Sequence, residues 1–257
     1  VTPAPIVCTG LEVAWPPAAP VLDIPHLELA PGSVTAVVGP SGAGKSTLGH
    51  ALAGLLPWLG ARVEGGVEYA GRILHPGRAD EWRAVRGRLV RWIPQDPALS
   101  FTPTRPLLPQ MLEGPGRAGP LPESLDDLLA AVGLDSTADL AGRYPFELSG
   151  GELQRAAAVT AFSAGPSLVV ADEPTAHLDP PNALALARTV IALVARTGTG
   201  LLWITHDLRL GAAVASRILY LDRGRIAADD VPAALLDPDR ASALPLVRAC
   251  ARLAAMP

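Results

Sequence analysis

Nine residues, Gly39-Pro-Ser-Gly-Ala-Gly-Lys-Ser-Thr47, gather what a phosphate chain needs from a protein. Glycines let successive backbone N–H groups converge on an anion, the lysine adds a mobile cation, and a serine hydroxyl suits Mg²⁺. Lys45 is the sole lysine among 21 basic side chains, the rest being arginine. A compact ammonium with rotatable donors fits a tight phosphate cradle, whereas a guanidinium is a broad planar fork. The alternative is a plain glycine turn between strand and helix, and the lone lysine weighs against it.

Two further stretches carry chemistry. In Ser167-Leu-Val-Val-Ala-Asp-Glu-Pro174 an apolar run delivers Asp172 and Glu173 at a strand's carboxyl end, where open α/β sheets bind ligands. Asp172 would hold Mg²⁺ through water and Glu173 would polarise an attacking water as general base. Taken alone, such a pair also fits a solvated strand end. In Leu148-Ser-Gly-Gly-Glu-Leu-Gln-Arg155, Ser149, Gly150 and Gly151 open a helix and offer a second anion site. An ordinary N-cap is the bland reading, but a cap rarely needs two glycines followed by Glu152, Leu153, Gln154 and Arg155.

The elements that must position these groups follow from periodicity. Residues 34–38 are a short β-branched strand, the glycine loop follows, and leucines 48, 52, 55 and 56 predict a helix over 47–56. Residues 6–15 and 21–29 read as strands separated by a proline-rich turn, a β-subdomain ahead of the main sheet. Residues 89–93 predict a strand that ends at Gln95. Prolines and glycines crowd 103–122, then Leu125, Leu128, Leu129 and Val132 form a stripe ended by Gly133, so 97–163 reads as a mainly helical insertion. A strand at 167–171, a helix over 181–196, a strand at 200–205, a short helix from Asp207 and strands around Ile218 and Ile226 complete a parallel α/β core. The expected fold is an α/β phosphate-loop NTPase core with a mostly parallel sheet, an N-terminal antiparallel β-subdomain and a helical insertion. It forms one domain over 6–248: core at 6–96 and 164–248, insertion at 97–163. A tail of 249–257 follows.

Bulk properties exclude several classes. With 49% hydrophobic and 18% charged residues the chain buries a core. A net charge of −4 does not suggest nucleic-acid binding. The two cysteines, Cys8 and Cys250, have no metal-like spacing and fit a reducing compartment. No apolar run reaches the length of a membrane span, and the N-terminus lacks a signal-peptide pattern, so a soluble, cytoplasmic protein is expected.

The 148–155 stretch resembles the signature of the ATP-binding-cassette (ABC) family, and the family's other landmarks fall in order around it. Gln95 matches the Q-loop glutamine, Leu178-Asp179 the D-loop, and His206 the switch histidine. Trp15 stands where the family places an aromatic that stacks on adenine. The resemblance covers nearly the whole chain and implies an ATPase using ATP and Mg²⁺. Gly39, Pro40, Ser41, Gly42, Ala43, Gly44, Lys45, Ser46 and Thr47, with Trp15, would bind ATP. Ser46, Gln95 and Asp172 would serve Mg²⁺. Glu173, His206 and Gln95 would be catalytic. Two cassettes pair head to tail in this family, so Ser149, Gly150, Gly151, Glu152 and Gln154 would face the partner's ATP, with Asp179 at the junction. The common Glu-Pro-Thr-Ser-Ala-Leu-Asp reads Glu-Pro-Thr-Ala-His-Leu-Asp here, with Ala176 and His177 as departures.

Among ABC proteins a transporter subunit fits best. The chain has room for one cassette, lacks a long coiled coil, and retains both Glu173 and His206. An exporter cassette and a non-transport ABC ATPase are the alternatives. Separate permease subunits, and through them a solute-binding protein, are implied, placing the chain at the cytoplasmic face of the membrane. Residues 95–103, Gln-Asp-Pro-Ala-Leu-Ser-Phe-Thr-Pro, are similar to a segment of the oligopeptide, dipeptide and nickel importer cassettes. Arg83, Arg86, Arg88 and Arg91 could face permease or lipid, but the nearby Asp80 and Glu81 favour a solvated surface.

Overall fold

The computed structural model describes residues 4–83, 85–113 and 124–237. The expected tail at 249–257, Cys250 and residues 114–122 of the proline-rich stretch lie outside these residues. Two sheets form the frame. The first is antiparallel, in the order β2-β1-β4-β5, from β1 (Ile6–Ala14), β2 (Pro20–Leu29), β4 (Arg62–Tyr69) and β5 (Arg72–Leu74). The second has the order β10-β9-β3-β8-β7-β6, from β3 (Val34–Val38), β6 (Val90–Ile93), β7 (Leu168–Asp172), β8 (Gly200–Ile204), β9 (Arg217–Asp222) and β10 (Arg225–Asp230). All its pairings are parallel except the β9–β10 hairpin.

The helices are α1 (Lys45–Leu52), α2 (Ala79–Arg83), α3 (Leu107–Leu112), α4 (Leu125–Ala131), α5 (Thr137–Leu140), α6 (Gly150–Phe162), α7 (Pro180–Thr197), α8 (Leu208–Val214) and α9 (Pro232–Leu235). Side chains alternate across the parallel strands and divide the core. Val170, Leu202 and Ile204 join α1 and the antiparallel sheet on one side. Val169, Ala171, Leu201 and Trp203 meet α6 and α7 on the other. Phe101, Leu107, Met111, Leu128 and Leu129 enter that second cluster. The insertion is therefore anchored in the core by its own apolar stripe.

The antiparallel sheet is the expected N-terminal one, and β4 and β5 extend it after the phosphate loop and α1. Two expectations need correction. The helix expected over 47–56 ends at Leu52 and is followed by a 3-10 turn at Leu56–Leu59. Gly54 causes the break: it adopts φ +63, and a Cβ there would lie 2.0 Å from the ring of buried Trp82. Finally, the arginines of 83–91 do not form one solvated face. Arg91 is half-buried on β6, while Arg86 stacks on Trp58.

Candidate functional site

Strand β3 runs between β8 and β9 with all five residues buried, and the phosphate loop leaves its carboxyl end. Gly39 makes the exit possible, since a Cβ there would meet the Leu221 carbonyl oxygen of β9 at 2.1 Å. The loop turns back into α1, whose first residue is Lys45. Lys45 is only 8% exposed, and its Nζ donates to the carbonyls of Gly39 at 3.0 Å and Pro40 at 3.1 Å. Burial pushes its pKa down, while the charges of Glu173 and Asp172 pull it back up. Trp15 and Val21 join Gly42, Gly44, Lys45, Ser46 and Thr47 around an open cleft of about 280 Å³. Trp15 thus stands beside the loop.

The carboxylates arrive from β7. Ser46 Oγ donates to Asp172 Oδ1 at 3.1 Å, joining residues 126 positions apart. Burial raises the Asp172 pKa, and the Ser46 hydrogen bond, His50 and Lys45 oppose that rise. Glu173 follows with φ +49, a left-handed backbone that costs a non-glycine residue about 1–2 kcal/mol. Two hydrogen bonds hold it there: its N–H donates to Ile204 O at 3.0 Å, and Ala176 N–H donates to its carbonyl at 3.1 Å. The Glu173 carboxylate then lies 2.8 Å, Oε2 to Nδ1, from His206 at the end of β8. The histidine side chain is 64% exposed and the glutamate 20%, so the pair opens outward. Behind it a cleft of about 400 Å³ is lined by Thr175, Ala176, Leu178, His206 and Asp207 among others. Asp179 caps α7, accepting from Asn182 N–H at 2.9 Å.

The glycine pair sits apart from this group, at the start of α6. Ser149 is the N-cap, and Glu152 completes a capping box. The carboxylate of Glu152 accepts from Ser149 Oγ at 2.6 Å and Ser149 N–H at 2.8 Å, while Ser149 Oγ accepts from Glu152 N–H at 3.3 Å. These bonds hold the Glu152 pKa below the usual carboxylate range. Gly150 and Gly151 are exposed. None of these residues lines the phosphate-loop cleft.

Gln95 follows β6, exposed, and makes no hydrogen bond to Ser46 or Asp172. A hydroxyl and a carboxylate in contact make a hard-oxygen donor set, and Mg²⁺ typically takes few protein ligands alongside phosphates and water. The residues present therefore fit Mg²⁺, which needs no closed cage of carboxylates. Two residues the sequence reading passed over adjoin the site. His50 stacks on Trp92 with centroids 4.8 Å apart, tying α1 to the strand that leads to Gln95. Burial lowers the His50 pKa and the charge of Asp172 opposes it. A signal existed: His50 is four residues after Ser46, on the same helix face.

A mostly parallel sheet, a glycine loop with buried lysine, and an aspartate and glutamate at the end of β7 together define a phosphate-loop nucleotide-binding α/β protein. Comparison with known proteins narrows the class: the model of the ABC transporter family matches residues 22–176. The chain belongs to that family, and is an ATP-binding protein and ATPase of the ABC type. It is 39% identical over 227 residues to the hemin import ATP-binding protein HmuV of Nocardia farcinica, covering 87% of this chain and 75% of that one. It is 38% identical over 229 residues to the lipoprotein-releasing system ATP-binding protein LolD of Ruegeria pomeroyi, covering 86% and 96%. A probable peptide ABC transporter ATP-binding protein, y4tR of Sinorhizobium fredii, is 36% identical over 201 residues, 76% of this chain, and the match spans 60% of the relative's length. No helix among the described residues is long and apolar enough to cross a membrane.

Proposed function

We propose that the chain is the ATP-hydrolysing subunit of a membrane importer and works as a head-to-tail pair of cassettes. The observation that carries the catalytic reading is the 2.8 Å contact between Glu173 and His206, beside the carboxylate that meets Ser46. In this reading the loop N–H groups and Lys45 bind the β- and γ-phosphates, and Trp15 covers the base. Ser46 and Asp172 hold Mg²⁺, with Gln95 approaching when nucleotide is bound; the ion supplies charge neutralisation to the phosphates. Glu173 takes the proton of the attacking water, and His206 orients the carboxylate and contacts the γ-phosphate. Ser149, Gly150, Gly151, Glu152 and Gln154 face the nucleotide of the second cassette, with Asp179 at the junction.

Permease subunits dock at the Q-loop side and the insertion, where Leu99 and Leu112 are 79% and 62% exposed. This association places the chain at the cytoplasmic face of the membrane. The cargo class proposed is peptides, nickel or metal chelates, delivered by a solute-binding protein. Residues 95–103 and the peptide-transporter relatives support that class, while HmuV and LolD mark hemin import and lipoprotein release as competing cargoes. The decisive experiment is Glu173→Gln. Turnover should fall about 100- to 10,000-fold, the range of a general base, with ATP binding retained. Phosphate release and fluorescent-nucleotide binding read the two separately, and an unchanged rate overturns the assignment.

A further inference from the structure

Outside the nucleotide site, one surface combines unpaired cations with exposed apolar rings. Arg83 ends α2, and Arg86 and Arg88 lie in the turns after it. None of the three makes an ion pair among the described residues. Acidic neighbours do not neutralise them: Glu81 is taken by His75 and Arg78, and Asp80 makes no ion pair among the described residues. Six other arginines, at 62, 78, 105, 143, 217 and 225, each hold a carboxylate. Arg86 instead lies 3.6 Å over the ring of Trp58, and burial first, then the charge of Arg83, pushes its pKa down. Trp58 and its neighbour Leu59 are 53% and 51% exposed.

Mutually repelling guanidinium groups beside an exposed indole and leucine are costly in water alone. An anion next to an apolar boundary relieves both costs at once. The base beneath is firm, because Trp82 of α2 is fully buried and its Nε1 donates to His75 O at 3.0 Å.

We propose that Trp58, Leu59, Arg83 and Arg86 form a docking face for anionic phospholipid headgroups. The arginines meet the lipid phosphates, and Trp58 and Leu59 sit at the boundary with the acyl chains. Indole at the headgroup level with flanking cations is the composition a membrane interface selects. The chain as a whole carries a net charge of −4, so attraction to an anionic surface has to be local. This face is separate from the residues proposed for ATP hydrolysis, and failure of either reading leaves the other standing.

The test is cosedimentation of the full chain with vesicles of phosphatidylcholine alone or with added phosphatidylglycerol. Binding is expected only to the anionic vesicles, weakening as salt rises. The double variant Arg83→Gln/Arg86→Gln should bind about 30-fold more weakly, each arginine contributing about fivefold. Arg62→Gln, which removes an exposed arginine already paired with Glu64, should leave binding unchanged. A second measurement needs no charge variant: tryptophan emission should shift to the blue on anionic vesicles and lose that shift in Trp58→Phe. ATP turnover of the variants should match the parent. Equal binding to both vesicle types, no binding, or a double variant that binds like the parent overturns the proposal. So does binding to polyglutamate without binding to anionic vesicles, which would assign the face to an acidic protein segment.

Discussion

The phosphate loop and the glycine pair at the head of α6 both offer backbone N–H groups to an anion, yet they are built in opposite ways. The loop is seated by distant parts of the chain: β9 crowds Gly39, β7 supplies Asp172 to Ser46, and Lys45 is buried. The α6 start is local and exposed, held by hydrogen bonds between Ser149 and Glu152, three residues apart. A preorganised site binds its ligand with little further ordering. A self-capped helix end must exchange its own carboxylate contacts for those of an incoming phosphate. As proposed, the first arrangement serves the nucleotide of its own chain and the second that of a partner cassette.

Glu173→Gln tests the chemistry, and three further substitutions test this contrast. The largest expected effect among them is Lys45→Arg. Charge is kept but the fork does not fit, so ATP binding should weaken about 100-fold, the loss of charge-assisted bonds worth up to about 3 kcal/mol. Near-parental affinity in a nucleotide titration would break the argument from the lone lysine. Ser149→Ala should lower turnover about tenfold, consistent with one hydrogen bond to a charged group, while leaving single-chain ATP binding unchanged. It should also cost about 1 kcal/mol of stability as a lost cap, read by denaturant unfolding. A fall in ATP affinity instead would mean that the two halves are not independent.

The smallest effect concerns pH. The Glu152 carboxyl is held below its usual range by the Ser149 hydrogen bonds, so the folded state favours its ionised form. The stability this adds is present above the unfolded pKa and is lost as pH falls through the folded value. Glu152→Gln should remove that acid-side loss by lowering stability at neutral pH, with little change below the folded pKa. An unchanged pH profile of thermal unfolding would count against the capping box as the source.

Much of this contrast was legible in residue order, because each half is a contiguous motif. The loop, the Asp172-Glu173 strand end and the Ser149 cap are all local signals, and a β-branched run located β3 and an apolar run β8. What escaped were features made by meetings between distant residues. β4 receives no assignment, since Gly65 and Gly66 interrupt its alternation, yet it pairs with β1 through an irregular register. The end of α1 depends on Trp82 filling the space beside Gly54, which no helix-propensity argument anticipates. The His50–Trp92 stack likewise joins residues with no periodic relation. The basic run 83–91 divided because a strand and a turn aim its arginines differently.

The crowding of Gly39 by the Leu221 carbonyl also bears on synthesis. The loop occurs early in the chain, but its seat includes β9, and its own strand β3 lies between β8 and β9. On the ribosome, where the amino end emerges first, the loop waits for some 180 further residues before its backing exists. Nucleotide therefore cannot stabilise the early intermediates and rewards only a chain read through β9. ATP would act here as a late check on completed folding rather than as a nucleus for it.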